Sequence, residues 1–181
     1  LEFRRVRFRS HDQTEAMTLA DRIALMKDGR IMQYDRPQVL YGQPTTEFGG
    51  WFLGNPGMNF IPAELDSRGI HAPILAEPLP APANPPRGQL TLGIRPELVR
   101  MTGEPTEGSV GAILVDQAIG IAGRYLTKAK IGETVVKVNT DGRPPAALGR
   151  AVHLSVSRDR LMLVAHGHRV SRSEQHTPDL P

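Results

Sequence analysis

Imidazole, guanidinium and carboxylate groups recur at a few spacings that could do chemistry. His11 and Glu15 stand four residues apart, which on a helix puts both on one face. That spacing suits two metal ligands, but no third ligand accompanies them, so no metal site is expected. His166 and His168 form a His-x-His near a polar C-terminal tail, where solvated side chains are expected rather than ligands. In Gly93-Ile94-Arg95-Pro96-Glu97 a cation and a carboxylate flank a proline. A strand followed by a Pro-imposed turn would let Arg95 and Glu97 satisfy buried loop carbonyls or each other. Trp51-Phe52 is the one adjacent aromatic pair, and it reads as the core anchor of a helix.

The elements that must position these groups divide near residue 57. Ser10 followed by Gln13 has the form of a capping box ahead of helix formers through Ala20. Asp28-Gly29 between Arg22–Met26 and Arg30–Tyr34 is a strong hairpin signal. Pro37 suits the first turn of a helix through Tyr41, and Thr45 or Thr46 is placed to cap another that carries Phe48, Trp51, Phe52 and Leu53. From residue 57 onward short runs rich in Val, Ile and Leu alternate with Gly, Pro and Asp: 58–65, 69–75, 89–94, 109–119, 123–131, 134–139, 151–157 and 160–165. Many short strands with regular turn signals predict a small sandwich or barrel. Glu77–Arg87 holds five prolines, cannot be a central strand, and is expected as a solvent-exposed loop.

Composition bounds the function. With 181 residues and 39% hydrophobic content the chain can bury one or two small cores. Zero cysteines remove disulfides, thiolate metal sites and cysteine nucleophiles. No apolar run approaches the roughly 20 residues of a spanning helix, and the first residues have no signal-peptide core, so a soluble chain is expected. Arg4, Arg5, Arg7 and Arg9 against Glu2 account for the whole formal charge of +3. The remainder is neutral, which disfavours a nucleic-acid-binding face.

Ser10-His11-Asp12-Gln13-Thr14-Glu15-Ala16-Met17-Thr18-Leu19-Ala20-Asp21-Arg22-Ile23 closely resembles the switch-histidine segment of ATP-binding subunits of ABC importers, in the subfamily serving maltose, glycerol-3-phosphate and related carbohydrates. The likeness continues through Lys27–Ile31, Pro37–Tyr41, Pro56-Gly57-Met58-Asn59-Phe60 and Gly93–Glu97, the last resembling the signature of the family's C-terminal regulatory domain. The resemblance implies a mainly β fold: an OB-like barrel of the MOP/TOBE type, preceded by a helix–hairpin–helix remnant of an α/β P-loop ATPase domain. The expected division is a divergent basic segment or cloning remnant at 1–9, the ATPase remnant at 10–56, the regulatory domain at 57–165 with its Pro-rich loop at 77–87, and a flexible tail at 166–181.

In the family His11 would be the switch histidine at the γ-phosphate, the nucleotide-binding and catalytic residue that the resemblance supplies, with ATP and Mg as cofactors. The sequence has no G-x-x-x-x-G-K-[ST] loop, no Ser-Gly-Gly-Gln and no apolar strand ending in Asp-Glu. By itself the chain is therefore expected to bind no cofactor and to be inactive. The resemblance implies a regulatory and dimerisation role: a homodimer through the regulatory domains, contact with membrane-spanning permease subunits, possible regulatory proteins, and a cytoplasmic place at the inner face of the membrane. Alternatives from other classes are an oxyanion-binding barrel, favoured by a basic pocket of backbone amides, and a nucleic-acid-binding barrel, favoured by exposed aromatics on one sheet face.

Overall fold

A computed structural model describes residues 13–119 and 123–170. The expected cap Ser10, the switch-type His11 and the basic segment 1–9 lie outside the described residues. The first part runs α1 (Gln13–Leu19), β1 (Ile23–Lys27), β2 (Arg30–Asp35), α2 (Pro37–Gly42) and α3 (Glu47–Phe52). β1 and β2 pair antiparallel with Ala24 opposite Tyr34. Asp28 and Gly29 turn the hairpin with φ of 50° and 75°, the paired left-handed conformations of a type I′ turn. Pro37 opens α2, and the Thr46 hydroxyl accepts from the Gly49 N–H at 3.1 Å to cap α3. Leu25, Leu40 and Leu53 bury together with Met17, Ile23, Met32 and Phe48 packed around them, a small core that holds hairpin and helices as one piece.

The second part is all β. Its strands are β3 (Asn59–Asp66), β4 (Gly69–His71), β5 (Leu90–Ile94), β6 (Val99–Thr102), β7 (Val110–Ile119), β8 (Tyr125–Ile131), β9 (Thr134–Thr140), β10 (Ala151–Val156), β11 (Met162–Ala165) and β12 (His168–Arg169). They form two five-stranded antiparallel sheets, ordered β12-β11-β5-β3-β4 and β6-β10-β7-β8-β9. Alternate residues point inward, as a half-buried strand requires. Leu92 and Ile94 of the first sheet meet Leu114, Val136, Val138, Val152 and Leu154 of the second in one continuous core. The one hydroxyl in this interior, Thr127, donates to the Val138 carbonyl at 3.1 Å and so leaves no orphaned polar atom. The architecture is the mainly β, OB-like half-barrel domain expected from the sequence, preceded by the helical and hairpin segment.

Three expectations change. Trp51 and Phe52 are not core anchors: they are 60% and 36% exposed. α3 buries its glycines instead, because Gly50 lies so close to Phe60 and Met58 that a Cβ there would sit 2.9 Å from the Phe60 ring, and the aromatics are turned to the opposite side. The polar run 166–170 is not a free tail. Its strand β12 pairs with β11 and is bridged to Thr46, with the Glu47 N–H donating to the Gly167 carbonyl and the Arg169 N–H to the Thr45 carbonyl, both at 2.9 Å. The Pro-rich loop is exposed over most of its length but begins with a bridge, since Ile70 and Leu79 exchange two backbone hydrogen bonds of 2.8 Å. That bridge covers the edge of β4, which would otherwise present unpaired groups.

Candidate functional site

The Gly93–Glu97 segment ends β5 and turns into a short 3-10 helix, Pro96–Leu98. Each residue does a separate job. Gly93 leaves room for Met58, Phe60 and Met162, whose atoms lie 2.8–3.2 Å from where a Cβ would stand. Ile94 is fully buried in the barrel core. Pro96 holds the preceding residue extended, and Arg95 has φ −67° and ψ 139°. This directs the Arg95 side chain out of the barrel and back toward the helices.

Arg95 is 2% exposed. Its Nη1 donates to the Gly50 carbonyl and its Nη2 to the Tyr41 carbonyl, each at 2.8 Å, and its guanidinium stacks 4.0 Å from the centre of the Tyr41 ring. The two acceptors lie at the ends of α3 and α2, where helix carbonyls lack intrahelical donors. Gly54 makes the space: a Cβ there would be 2.7 Å from Arg95 Nη1. Burial pushes the Arg95 pKa down, while Tyr41 and Glu97 act to raise it. The third nitrogen, Nε, is buried and has no acceptor among the described residues, so the fit is dictated by the two carbonyls and the ring.

Around this guanidinium the remaining contacts complete a joint. The Tyr41 hydroxyl donates to Glu97 Oε1 at 2.5 Å, and burial together with the Glu97 carboxylate pushes the Tyr41 pKa up to about 12. Asn59 ties β3 to β9, donating to the Lys137 carbonyl at 2.9 Å and accepting from its N–H at 2.8 Å. Lys137 Nζ then donates to the Gly57 carbonyl at 2.6 Å and reaches Met58 at 3.3 Å. Its pKa is lowered by burial first, and then by the charges of Arg95 and Lys128. The arrangement contains no activated nucleophile. It is a mechanical joint in which the buried Arg95 holds helix-end carbonyls and the half-buried Lys137 holds those of the link into β3, and the helices and the barrel cannot separate without stripping Arg95 of its acceptors.

The other expected residues fall elsewhere. His11 lies outside the described residues. His166 and His168 are not brought together as ligands: His166 Nε2 lies 2.8 Å from the Arg87 carbonyl, while His168 sits in β12. Sequence reasoning missed His71 beside Asp66, whose carboxylate accepts from the Arg68 N–H at 2.7 Å and lies 2.8 Å from His71 Nε2. The turn signal Asp-Ser-Arg-Gly was visible, but the histidine arrives only through pairing of β3 with β4. The Asp66 pKa is held down to about 2, chiefly by the Arg68 N–H and then by His71. A groove of about 570 Å³ at one end of the sheets includes Arg100 and Arg158 together with Glu77 and Glu107. Arg158 and Glu77 pair across it at 2.9 Å, so its lining is not the basic pocket an oxyanion would favour.

Residues 54–99, which include Asn59 and the Gly93–Glu97 turn, match the family described as the MalK OB fold domain. The sn-glycerol-3-phosphate import ATP-binding protein UgpC of Chromohalobacter salexigens is 37% identical over 163 residues, 88% of this chain and 42% of its own length. The UgpC of Chromobacterium violaceum is 36% identical over 161 residues, 85% of this chain and 42% of its own length. The osmoprotective compounds uptake ATP-binding protein GgtA of Synechocystis is 47% identical over 94 residues, 49% of this chain and 26% of its own length. The chain spans about two-fifths of the length of the UgpC relatives. It carries an OB/TOBE-like domain homologous to that of ABC-transporter ATP-binding subunits of the UgpC and MalK kind.

Proposed function

We propose that the chain is the regulatory and dimerisation part of the ATP-binding subunit of an ABC importer, with sugars, polyols or glycerol-3-phosphate as the class of solute. The observation that carries this reading is the Arg95 joint: the barrel's signature turn is fastened to the helices that follow the switch-histidine segment, so a movement of one is passed to the other. In the whole subunit His11 would meet the γ-phosphate of ATP bound with Mg. The described residues do not fit a nucleotide by themselves, because the sequence holds no phosphate loop and the buried Arg95 and half-buried Lys137 are already committed to carbonyls.

Pairing with a second copy through the barrel is supported by exposed apolar side chains on the outer face of the second sheet, to either side of Lys130. Ile113, Val115 and Val135 are 43–48% exposed there, and a closed two-fold pair is the commonest way to cover a self-complementary patch. Membrane-spanning permease subunits and regulatory proteins would be the other partners, at the inner face of the cell membrane. None of the described helices is long and apolar enough to cross a membrane.

The test is a graft. Residues 10–170 replace the equivalent segment of the Chromohalobacter UgpC, and glycerol-3-phosphate import is measured in cells lacking that subunit. Import that is restored by the graft and lost in its Arg95→Ala form is the expected result. A graft that folds, reaches the membrane and supports no import would overturn the proposal.

A further inference from the structure

The segment Pro78–Arg87 plays no part in the joint or in the outer face of the second sheet. Its sequence, Pro-Leu-Pro-Ala-Pro-Ala-Asn-Pro-Pro-Arg, sets φ near −65° at five positions, the backbone value of the polyproline II helix. Pro80, Ala81, Ala83, Asn84, Pro85, Arg87 and Gly88 are exposed, and Pro82 and Pro86 are half-buried. Among the described residues, no backbone hydrogen bond involves positions 80–86. This is the unpaired, solvated backbone that a groove-binding partner can use.

Both ends of the segment are fastened to the barrel. At the start Leu79 is buried and exchanges two hydrogen bonds with Ile70. At the end the Arg87 carbonyl lies 2.8 Å from His166 Nε2, and Gly88, with φ +94°, packs so close to that ring that a Cβ would stand 2.8 Å from it. The loop is thus held by its backbone at both ends while its middle faces water. The Arg87 side chain is exposed and has no hydrogen bond or ion pair among the described residues, although Arg158 beside the loop's base is already paired with Glu77.

Pro82, Pro85 and Arg87 have the spacing P-x-x-P-x-R. With three residues per turn and about 3.1 Å of rise per residue, polyproline II places the two prolines on one face and the cation beyond them. We propose that this loop is a docking segment for a protein domain with a shallow groove of aromatic rings, which takes Pro82 and Pro85, flanked by an acidic pocket for Arg87. The free chain bends at Ala83 and Asn84, so a partner must straighten two residues, which lowers the affinity.

An isolated SH3 domain with an acidic specificity pocket serves as the probe. It is titrated into the full ¹⁵N-labelled chain, with amide shifts followed by NMR. The expected result is saturable movement of the amides of residues 81, 83, 84, 87 and 88, with binding weakened about tenfold or more in Arg87→Glu and in Pro82→Ala/Pro85→Ala. All of these positions are outside the core, and an unchanged amide spectrum for the barrel shows that each variant is folded. No shift at these amides up to millimolar probe, or binding that both variants leave unchanged, would overturn the proposal.

Discussion

The side chain of Asn59 pairs with the backbone of Lys137 as a neighbouring strand would, giving one hydrogen bond and taking one. It lies at the seam between the two sheets, where β3 of one meets β9 of the other and no ladder continues. Asn59 is 3% exposed, so neither bond can be replaced by water without opening the barrel.

Asn59→Ala leaves a buried N–H and C=O of Lys137 without partners, and it should lower stability by about 2–4 kcal/mol. Asn59→Asp keeps the acceptor, loses the donor and buries a carboxylate, so it should cost at least as much near neutral pH. Urea unfolding followed by circular dichroism measures both. A cost under about 0.5 kcal/mol for Asn59→Ala would show that the seam is held by packing alone.

Arg95→Ala takes the guanidinium donor from the Tyr41 carbonyl and one of two donors from the Gly50 carbonyl, which keeps the Met58 N–H, and should cost about 2–4 kcal/mol. Arg95→Lys keeps the charge but cannot reach two carbonyls in a fork while stacking on Tyr41, so most of the loss should remain. Hydrogen exchange locates the effect. Faster exchange should concentrate in residues 37–54, with β7, β8 and β9 little changed.

Tyr41 supplies a pH signature. Its pKa is raised in the folded chain from 10.0 to about 12, so the folded state holds that proton more tightly than the unfolded one. The stabilisation is complete below pH 10 and is lost as pH rises from about 10 to 12. Spectrophotometric titration should find one of the three tyrosines ionising late, and Tyr41→Phe should abolish that late phase. The same variant should flatten the alkaline fall in stability.

Two glycines near the joint should respond oppositely to alanine. A Cβ at Gly57 would stand 2.3 Å from the Trp51 carbonyl oxygen, a backbone atom that cannot swing aside. Gly57→Ala should cost about 3 kcal/mol or more and loosen the turn between α3 and β3. Gly42 at the end of α2 has nothing within 4 Å and no positive φ. Gly42→Ala should be neutral or stabilise by up to about 1 kcal/mol, measured by the shift in thermal midpoint.

What the sequence showed and what it hid follow from the range of the interactions. Asp28-Gly29, Pro37 and Thr46 act on their immediate neighbours, and the hairpin and both helices appear where those residues predict. Strand runs bounded by Gly and Pro were equally legible from 58 to 165. β6 was not, since Val-Arg-Met-Thr is only four residues long, too short for its alternation to mark a strand by itself, and its pairing with β10 decides its state. β12 was hidden for the same reason: two polar residues become a strand because β11 and Thr46 lie on either side. In the joint the sequence allowed Arg95 either buried carbonyls or Glu97 as partner, and did not disclose that its acceptors are the carbonyls of Tyr41 and Gly50, some fifty positions earlier. Trp51 and Phe52 misled because hydrophobicity alone cannot tell which face of a six-residue helix is taken. The glycines of α3 settled that by allowing the closer approach.

The pairing of β12 with the segment before α3 has a temporal consequence. Thr45 and Glu47 receive their partners from Gly167 and Arg169, separated from them by on the order of a hundred residues of intervening chain. While the polypeptide leaves the ribosome, α2 and α3 emerge long before the strand that seats them, and before Arg95 as well. The helices must wait, with the Tyr41 and Gly50 carbonyls lacking their guanidinium donor, until the barrel has closed and its last strand has been made. These helices are therefore locked only by residues made on the order of a hundred positions later, and a ribosome stalled between residues 100 and 160 would hold a nascent chain in which Thr45 and Glu47 still lack those backbone partners.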